Sequence, residues 1–419
     1  MDIDLRVSAT GTNRETVYRR TIGVLLGSQL MAGAGLAAGI AVGALLVEDM
    51  TGSTGISGLP AALFTLGSAV AAKLVGNLSQ KYGRRTGLSM GYSVGAIGAA
   101  GIVLAAIINS LPLLFIALFL YGSGTATSLQ ARYAGADLAE PSKRGRAIST
   151  VLVATTAGAV LGPNLVELTG RVAQSIGVRG LAGPFMLATL AYGLAAIVVF
   201  TSMRPDPLLT ARALALRSSQ QPDDQKQAAG NDPRRTIWLA ATAMLVTQMI
   251  MIAIMTMTPI HMVLHGQSLA AAGLVISIHI AAMYLPSPLT GLAVDRLGYR
   301  RVLVAGGLTL LAAGVLAASA PVNSITLLGV ALGLLGLGWN FGLIAGTAAV
   351  TQAAPINKRA RIQGSVDMTV SLAGAAGGMG SGFVVVGSSY ATLALMGGLL
   401  GLIILPLMLA GRSLNRSSL

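Results

Sequence analysis

The sequence predicts an all-α membrane protein with 12 transmembrane helices arranged as two similar six-helix halves. Hydrophobic residues make up 54% of the 419 residues and charged residues only 10%, whereas a soluble domain carries about 25% charged residues. The chain is therefore too apolar to cover a water-facing surface of ordinary size. The 54 glycines favour close contacts between helices in lipid, where small side chains promote packing.

Twelve apolar segments are long enough to cross a membrane, because a hydrocarbon core of about 30 Å requires about 20 residues of helix. They are apolar on all sides, unlike the alternating strands of a transmembrane β-barrel. The first is much longer than the apolar core of a cleavable signal peptide. The predicted spans are residues 21–47, 57–78, 87–108, 111–136, 147–168, 182–203, 236–264, 271–292, 302–320, 324–351, 362–385 and 391–410.

The basic residues predict the orientation of these spans. Placing the N-terminus inside puts nearly all of the 28 Lys and Arg residues in inner segments, so we expect both termini in the cytosol. This pattern accounts for the net charge of +14 without a nucleic-acid partner. The polar stretch 204–235 is predicted to be a cytosolic linker between an N-terminal half, 1–203, and a C-terminal half, 236–419.

The two halves repeat at an offset of about 215 residues. The sequence Arg-Arg-Thr-Ile at 19–22 recurs at 234–237, and the pair Lys-Arg at 143–144 recurs at 358–359. Six helices per half is an even number, so both halves start on the same side of the membrane. This arrangement suits alternating access, in which one half rocks against the other around a site at the midplane.

A basic loop containing two glycines follows the second helix of each half. Its sequence is GNLSQKYGRR at 76–85 and GLAVDRLGYRR at 291–301. Both copies resemble the G-x-L-x-D-R-x-G-R-R motif of the major facilitator superfamily. The resemblance implies a tight turn at the glycines and charges that lock against a neighbouring helix end. The first copy has Gln where the motif has Asp, so its lock lacks a charge. The motif residues are Gly76, Gln80, Lys81, Gly83, Arg84, Arg85, Gly291, Asp295, Arg296, Gly298, Arg300 and Arg301.

The fifth predicted span carries Gly158, Gly162 and Pro163. They resemble the G-x-x-x-G-P motif of the superfamily's antiporters, including drug exporters. Glycines four residues apart give a flat face for close packing, and proline allows a bend. The resemblance implies the drug–proton antiporter branch. The alternative is ordinary helix packing through a glycine pair.

Ionisable residues within spans are candidates for proton coupling or gating, because charges are costly in lipid. The superfamily's fold brings the second and eleventh helices together, so we expect Asp367 to pair with Lys73 or with Arg132. Asp367 is then the best carboxylate for carrying a proton, and His279 is a further proton site or a substrate contact. The alternative is that Lys73 and Arg132 extend to the inner headgroups and that His279 is a packing residue.

The resemblance also implies that the first, fourth, seventh and tenth helices line a cavity. Polar, aromatic and methionine side chains on three of these helices are candidate substrate contacts, with interhelical bonding or packing as the alternative. An apolar, adaptable lining suits amphiphilic substrates. The candidates are Gln29, Gln248, Asn340, Trp339, Met251 and Met255.

Catalytic motifs are missing from the sequence, which has no cysteine, no phosphate-binding loop and no HExxH motif. We expect no enzyme activity, cofactor or metal site; His261 and His265 share a helix face but lack a third ligand.

We expect a monomeric, multi-pass protein of a bacterial plasma membrane. Its predicted function is secondary active transport driven by protons or sodium, with export of small amphiphilic, drug-like compounds. The alternatives are proton-coupled uptake of a nutrient or organic anion, and a non-transporting receptor or partner protein.

Overall fold

The structure is a computed structural model that describes residues 14–36, 40–51, 59–219, 232–321 and 324–413. These ranges form α-helices and two short 3-10 helices, Pro141–Lys143 and Gly180–Ala182, with no strand among them. The helices are α1 (Arg14–Leu36), α2 (Ile40–Thr51), α3 (Leu59–Tyr82), α4 (Arg84–Ile108), α5 (Leu111–Ala136), α6 (Arg144–Asn164), α7 (Val166–Ser175), α8 (Gly183–Ser202), α9 (Pro207–Ser219), α10 (Pro233–Leu264), α11 (Leu269–Tyr284), α12 (Ser287–Leu297), α13 (Tyr299–Ser319), α14 (Ile325–Ala353), α15 (Arg359–Gly387), α16 (Tyr390–Gly401) and α17 (Ile404–Ser413).

Each of the 12 predicted spans coincides with one helix or with two consecutive helices. By length and composition, 10 helical stretches of the described ranges can cross a membrane. The eighth predicted span is divided between α11 and α12. Pro286 lies at this junction and Pro288 in the first turn of α12, and proline lacks the N–H that would continue the helical hydrogen bonding. The prediction of an all-α membrane fold is confirmed.

Contacts between the described residues divide the chain into two compact units. The first takes in Met1–Glu140, Thr150–Gln227 and Pro355–Met368, and the second takes in Pro141–Ser149, Ala228–Ala354 and Thr369–Leu419. Each unit thus contains most of one predicted half and a short segment of the other. The exchanged segments are the first turns of α6 and of α15.

The core of the first unit is built around buried aromatic rings. Tyr121 lies at its centre, with ring centroids 5.6 Å from Phe64, 5.5 Å from Phe185 and 5.8 Å from Tyr192. Tyr92 stacks on Tyr192 at 6.1 Å. Such offset and edge-to-face pairs stabilise a core by about 0.5–1.5 kcal/mol each, beyond the area they bury. The cluster joins α3, α4, α5 and α8.

Glycines allow close contacts in this core, both around the ring of Tyr192 and between α4 and α5. A Cβ atom on Gly35 would lie 3.0 Å from this ring, and one on Gly95 would lie 2.7 Å from the backbone of Gly124. Because real Cβ atoms do not approach backbone this closely, α4 and α5 cross at a distance that only glycine permits. Glycine therefore sets the spacing of these helices.

We predict that Gly95→Val destabilises the first unit, whereas Gly193→Val does not. Valine at 95 would collide with the backbone of α5, and overpacking of this kind costs about 1–3 kcal/mol. A Cβ atom on Gly193, which also lies within a helix, meets nothing within 4 Å. Thermal unfolding of the purified protein should show a melting temperature lower by roughly 2–5 °C for Gly95→Val alone. Equal effects of the two substitutions would contradict this explanation.

Candidate functional site

A buried ion pair links α5 to α15 within the first unit. Nη2 of Arg132 lies 2.6 Å from Oδ1 of Asp367, and the two side chains are 1% and 8% exposed. The hydroxyl of Tyr133 donates to the same oxygen at 3.1 Å. Oδ2 of Asp367 has no hydrogen-bond partner in the part of the chain that the structure describes. One oxygen is therefore held by two donors, and the other is a buried acceptor that remains unused.

Tyr133 also contacts two guanidinium groups through its ring. The guanidinium of Arg132 lies 4.3 Å from the ring centroid and that of Arg84 lies 6.0 Å away. Stacking of this kind favours a cation over an aromatic face. Tyr133 thus connects the ion pair to Arg84, which belongs to the first copy of the loop motif.

Lys73 does not pair with Asp367 in this structure. Its ammonium is half-buried and donates to the hydroxyl of Ser365 at 2.6 Å, two residues before Asp367 on α15. Of the two pairings predicted from the sequence, only the one with Arg132 is present. Arg132 does not extend to the headgroups either, since its side chain is 1% exposed.

Gln80 caps the N-terminus of α15. Its Oε1 accepts from the backbone N–H groups of Ala360, at 2.8 Å, and Arg361, at 3.4 Å, while its Nε2 donates to the carbonyl of Asn357 at 2.7 Å. The first N–H groups of a helix lack intrahelical partners, and this amide supplies them. A carboxylate at position 80 could not make the third bond. The missing charge is thus partly offset by an additional donor.

Asp295 caps the N-terminus of α6 in the same manner within the second unit. Its carboxylate accepts from the N–H groups of Gly145 at 2.7 Å and Arg146 at 3.1 Å, and it also pairs with the guanidinium of Arg146. Gly145 and Arg146 stand at the predicted repeat offset from the two residues that Gln80 caps. The two loop motifs therefore perform the same local task, once with a neutral amide and once with a carboxylate.

Small residues bring each loop motif against the helix that it caps. A Cβ atom on Gly76 would lie 2.7 Å from the backbone of Gly364 on α15, and one on Gly291 would lie 2.6 Å from the carbonyl of Gly145 on α6. The second glycine of each motif, Gly83 or Gly298, has a φ of +92° or +84°. That conformation favours glycine and makes the tight turn that the motif predicted.

Arg84 is completely buried and holds two further polar groups of the first unit. Its Nε lies 2.7 Å from Oδ2 of Asp137, just after α5, and its Nη2 donates to Oε1 of Gln363 on α15. The side chains of Arg84 and Asp137 are both 0% exposed. Removing either partner would leave the other charge buried and unpaired, which is strongly destabilising.

The other basic residues of the motifs lie nearer the surface. Arg85 is half-buried and lies 5.3 Å from the ring of Phe200. Three of the residues, Lys81, Arg296 and Arg301, are exposed, and Arg300 is half-buried. Their charges are consistent with the inner side predicted for these loops.

The antiporter-like motif is described only in part. A Cβ atom on Gly158 would lie 2.5 Å from the carbonyl of Leu30 and from the backbone nitrogen of Ala34. This glycine therefore allows α6 to contact α1 closely. Gly162 and Pro163 lie within the helical range of α6, but their side-chain environment lies outside the described part of the chain.

Gln29, predicted as a substrate contact, has its hydrogen bonds satisfied by protein groups. Its Nε2 donates to the carbonyl of Ser128 and to the hydroxyl of Thr155, both at 2.9 Å, and its Oε1 accepts from Tyr92 at 2.6 Å and from the hydroxyl of Ser128 at 3.1 Å. Gln29 is 0% exposed. It links α1, α4, α5 and α6, which matches the alternative of interhelical bonding.

Asn340 makes a comparable set of bonds in the second unit. Its Nδ2 donates to the carbonyl of Met283 at 2.7 Å and to Ser287 at 2.8 Å, and its Oδ1 accepts from Thr290 at 2.5 Å. These bonds hold the junction of α11 and α12, where proline interrupts the helix. Asn340 therefore also acts between helices.

Gln248 and Trp339 join α10 to α14. The indole N–H of Trp339 donates to Oε1 of Gln248 at 2.6 Å, and the ring of Tyr284 makes an edge contact at 5.7 Å. Gln248 and Met255 are half-buried, whereas Met251 is buried. Among the predicted substrate contacts, Gln248 and Met255 thus retain the most accessible surface.

His279 is completely buried and contacts α14. Its Nδ1 lies 2.8 Å from the carbonyl of Leu332, and its Nε2 has no partner among the described residues. His261 and His265 have ring centroids 4.5 Å apart. The described residues contain no group of three or more side chains suited to a metal ion.

A family model described as the Major Facilitator Superfamily matches residues 24–283 and, in a second match, residues 239–417. The chain belongs to the major facilitator superfamily. YdeG, an uncharacterized MFS-type transporter of Bacillus subtilis, is 53% identical over 402 residues, covering 95% of this chain and 93% of YdeG. The riboflavin transporter RfnT of Brucella anthropi is 32% identical over 354 residues, covering 84% and 85%.

Solved structures of the superfamily share the fold. The human organic anion transporter MFSD10 has a TM-score of 0.74 at 15% identity, covering 93% of this chain and 99% of MFSD10. The fucose:proton symporter FucP of E. coli has a TM-score of 0.69 at 15% identity, covering 94% and 99%. Together with the family model and the relatives of high identity, this makes the chain a multi-pass membrane transporter of the superfamily and not an enzyme.

Three polar residues of this superfamily member were not predicted from the sequence. Tyr133, Asp137 and Gln363 complete the contacts between α5, α4 and α15. Asp137 is one of 14 acidic residues and directly follows a predicted span at its inner end. An acidic residue in such a basic region could have been predicted to pair with an Arg of the loop motif. The position of Gln363 one helical turn before Asp367 is another such signal.

We predict that the two caps act independently of each other. Gln80→Leu should speed hydrogen exchange at the amides of Ala360 and Arg361 by about ten-fold, because losing a cap costs about 1 kcal/mol or more. Asp295→Leu should speed exchange at Gly145 and Arg146 instead. Each variant serves as the control for the other. Faster exchange at both helix ends in either variant would contradict this assignment.

Proposed function

We propose that this transporter exports small amphiphilic compounds from a bacterial plasma membrane in exchange for protons, as a monomer, with Asp367 carrying the proton. The observation that carries the proposal is the environment of this carboxyl group. It is buried, it faces one cation, and its Oδ2 lacks a partner among the described residues. Ionisable groups within membrane spans are costly and mark proton and substrate pathways.

Protonation of Asp367 would change the contact between α5 and α15. In the ionised state the carboxylate neutralises Arg132, and breaking such a buried pair costs about 3–5 kcal/mol. A proton on Oδ2 removes the negative charge and weakens the attraction to Arg132 and Tyr133. We infer that proton binding favours separation of α15 from α5 and that proton release favours their contact. This is the coupling that alternating access requires.

Lys73 is suited to a supporting role in this step. Its ammonium is bound to Ser365, within two residues of Asp367. A cation at this position can pair with Asp367 when α15 moves relative to Arg132. His279 is less suited, because among the described residues its ring is hydrogen-bonded only to the neutral carbonyl of Leu332. We therefore place the proton at Asp367.

Export, as opposed to uptake, is supported by the antiporter-like motif in α6. Gly158 packs directly on the backbone of α1, as expected for a motif that requires close contact between these two helices. The half-buried Gln248 and Met255 offer a mixed polar and apolar surface for an amphiphilic compound. Such adaptable surfaces accept substrates of varied shape.

A second candidate function is proton-coupled uptake of a nutrient or organic anion, with a flavin-like compound as the first to examine. It is favoured by the riboflavin transporter RfnT, which is 32% identical over most of both chains. Lys73 and Arg132 would then serve as contacts for an anionic group. Under this alternative the same carboxylate carries the proton, but substrate and proton move in the same direction.

We predict that Asp367→Asn abolishes proton coupling while the protein remains folded. Asparagine keeps the size and one acceptor oxygen but cannot carry a proton. The measurement is substrate-dependent proton flux in proteoliposomes that contain a pH-sensitive dye. Glu167→Gln is the matched control, because the Glu167 side chain is 86% exposed. Proton flux at the wild-type rate in Asp367→Asn would contradict the proposal.

The direction of transport is tested in the same vesicles with an imposed pH gradient and a panel of lipophilic cations, riboflavin and organic anions. Proton flux opposite to substrate flux supports export by antiport, and flux in the same direction supports uptake. Coupling that follows an imposed sodium gradient, and is insensitive to pH, would assign sodium as the ion. Folded protein without flux for any compound of the panel would contradict both proposed substrate classes.

A further inference from the structure

The first loop motif has a partner in the segment that follows α8. Asp206 is 7% exposed, and its Oδ2 accepts from the backbone N–H of Arg85 at 2.7 Å. Its Oδ1 accepts from Leu208 at 3.0 Å and Leu209 at 3.1 Å. One carboxylate thus caps two helices, α4 and α9. Carboxylates at helix N-termini satisfy orphan N–H groups and favour the helix dipole.

The glycine of the motif is required for this cap. Gly83 precedes α4 and has no side chain with which to cap it. A Cβ atom there would lie 2.6 Å from Cγ of Asp206. At the corresponding position of the second copy, Gly298, an added Cβ would meet nothing within 4 Å. The two glycines have similar backbone angles, but among the described residues an acidic side chain from elsewhere in the chain contacts only the first.

Helix α9 makes a second contact with the same motif. Nη2 of Arg212 donates to the backbone carbonyl of Gln80 at 2.6 Å. This carbonyl belongs to the last turn of α3, where carbonyls lack intrahelical partners and cations are favoured. The side chain of the same residue, Gln80, caps the N-terminus of α15. Gln80 therefore contacts both helices. Its backbone carbonyl accepts from Arg212 on α9, and its side-chain amide caps α15.

We propose that α9 is a brace in which Asp206 and Arg212 are positioning residues that set how firmly Gln80 holds the first turn of α15. The predicted linker between the halves, to which α9 belongs, thereby acts on the α3–α15 contact. This contact must loosen for α15 to move during transport. The inference rests on membership of a transporter family and is independent of proton coupling at Asp367.

The test is hydrogen exchange at the amides of Ala360 and Arg361, on α15, after substitution on α9. Arg212→Gln should speed this exchange by about three- to ten-fold, since a hydrogen bond from a charged donor is lost. Arg217→Gln removes the same charge from an exposed position on the same helix and should leave the exchange rate unchanged. A purely local role for Arg212 would alter exchange in α9 alone.

A double substitution separates action through Gln80 from general loosening. In a Gln80→Leu background the cap is already absent, so Arg212→Gln should add no further increase at Ala360 and Arg361. Wild-type exchange in Arg212→Gln, or a full additional increase in the double variant, would overturn the proposal. If Arg212→Gln does not fold, Arg212→Lys keeps the charge but not the guanidinium geometry. Exchange at Ala360 and Arg361 should then be intermediate between the wild type and Gln80→Leu, and no change from the wild type would again overturn the proposal.

Discussion

The arrangement of the first unit depends on burying the first turns of α15 between α3, α4 and α5. Buried polar groups must find partners, because an unsatisfied group costs about 1–3 kcal/mol and an unpaired charge costs more. In this segment the N–H groups are capped by Gln80, the amide of Gln363 meets Arg84, and the carboxylate of Asp367 meets Arg132. Each contact constrains where α15 can lie. Together they fix the position of the first turns of α15 along α3, α4 and α5.

The same constraint accounts for the small residues at the α3–α15 crossing. Gln80 can reach the N-terminus of α15 only if the two helices nearly touch, and Gly76 against Gly364 permits that approach. In the second unit Asp295 and Gly291 solve the same problem for α6. The two halves differ in what accompanies this contact. Among the described residues, the contact in the first half has the buried pair of Arg132 and Asp367 beside it, whereas the contact in the second half has the pair of Asp295 with the half-exposed Arg146. The proposed coupling is therefore asymmetric although the fold repeats.

The sequence was sufficient to predict the all-α membrane fold, because apolar length and the distribution of basic residues depend on the bilayer itself. The loop motifs, repeated at a constant offset, were sufficient to predict the superfamily. The partner of Asp367 remained open between Lys73 and Arg132, since helical rise gives depth in the membrane but not which face meets which. Gln29 and Asn340 were predicted as substrate contacts on helix number alone. Their partners on other helices, which satisfy their amides, are visible only in three dimensions.

The buried pair of Arg132 and Asp367 holds α5 against α15. A double-mutant cycle with Arg132→Met, Asp367→Leu and the double variant measures the interaction energy of this pair from the free energies of unfolding. If the two side chains form a buried ion pair, each single substitution leaves one buried charge without a partner. The loss of unfolding free energy in the double variant should then be smaller than the sum of the two single losses by about 2 kcal/mol or more. Additive effects of the two substitutions would contradict the claim.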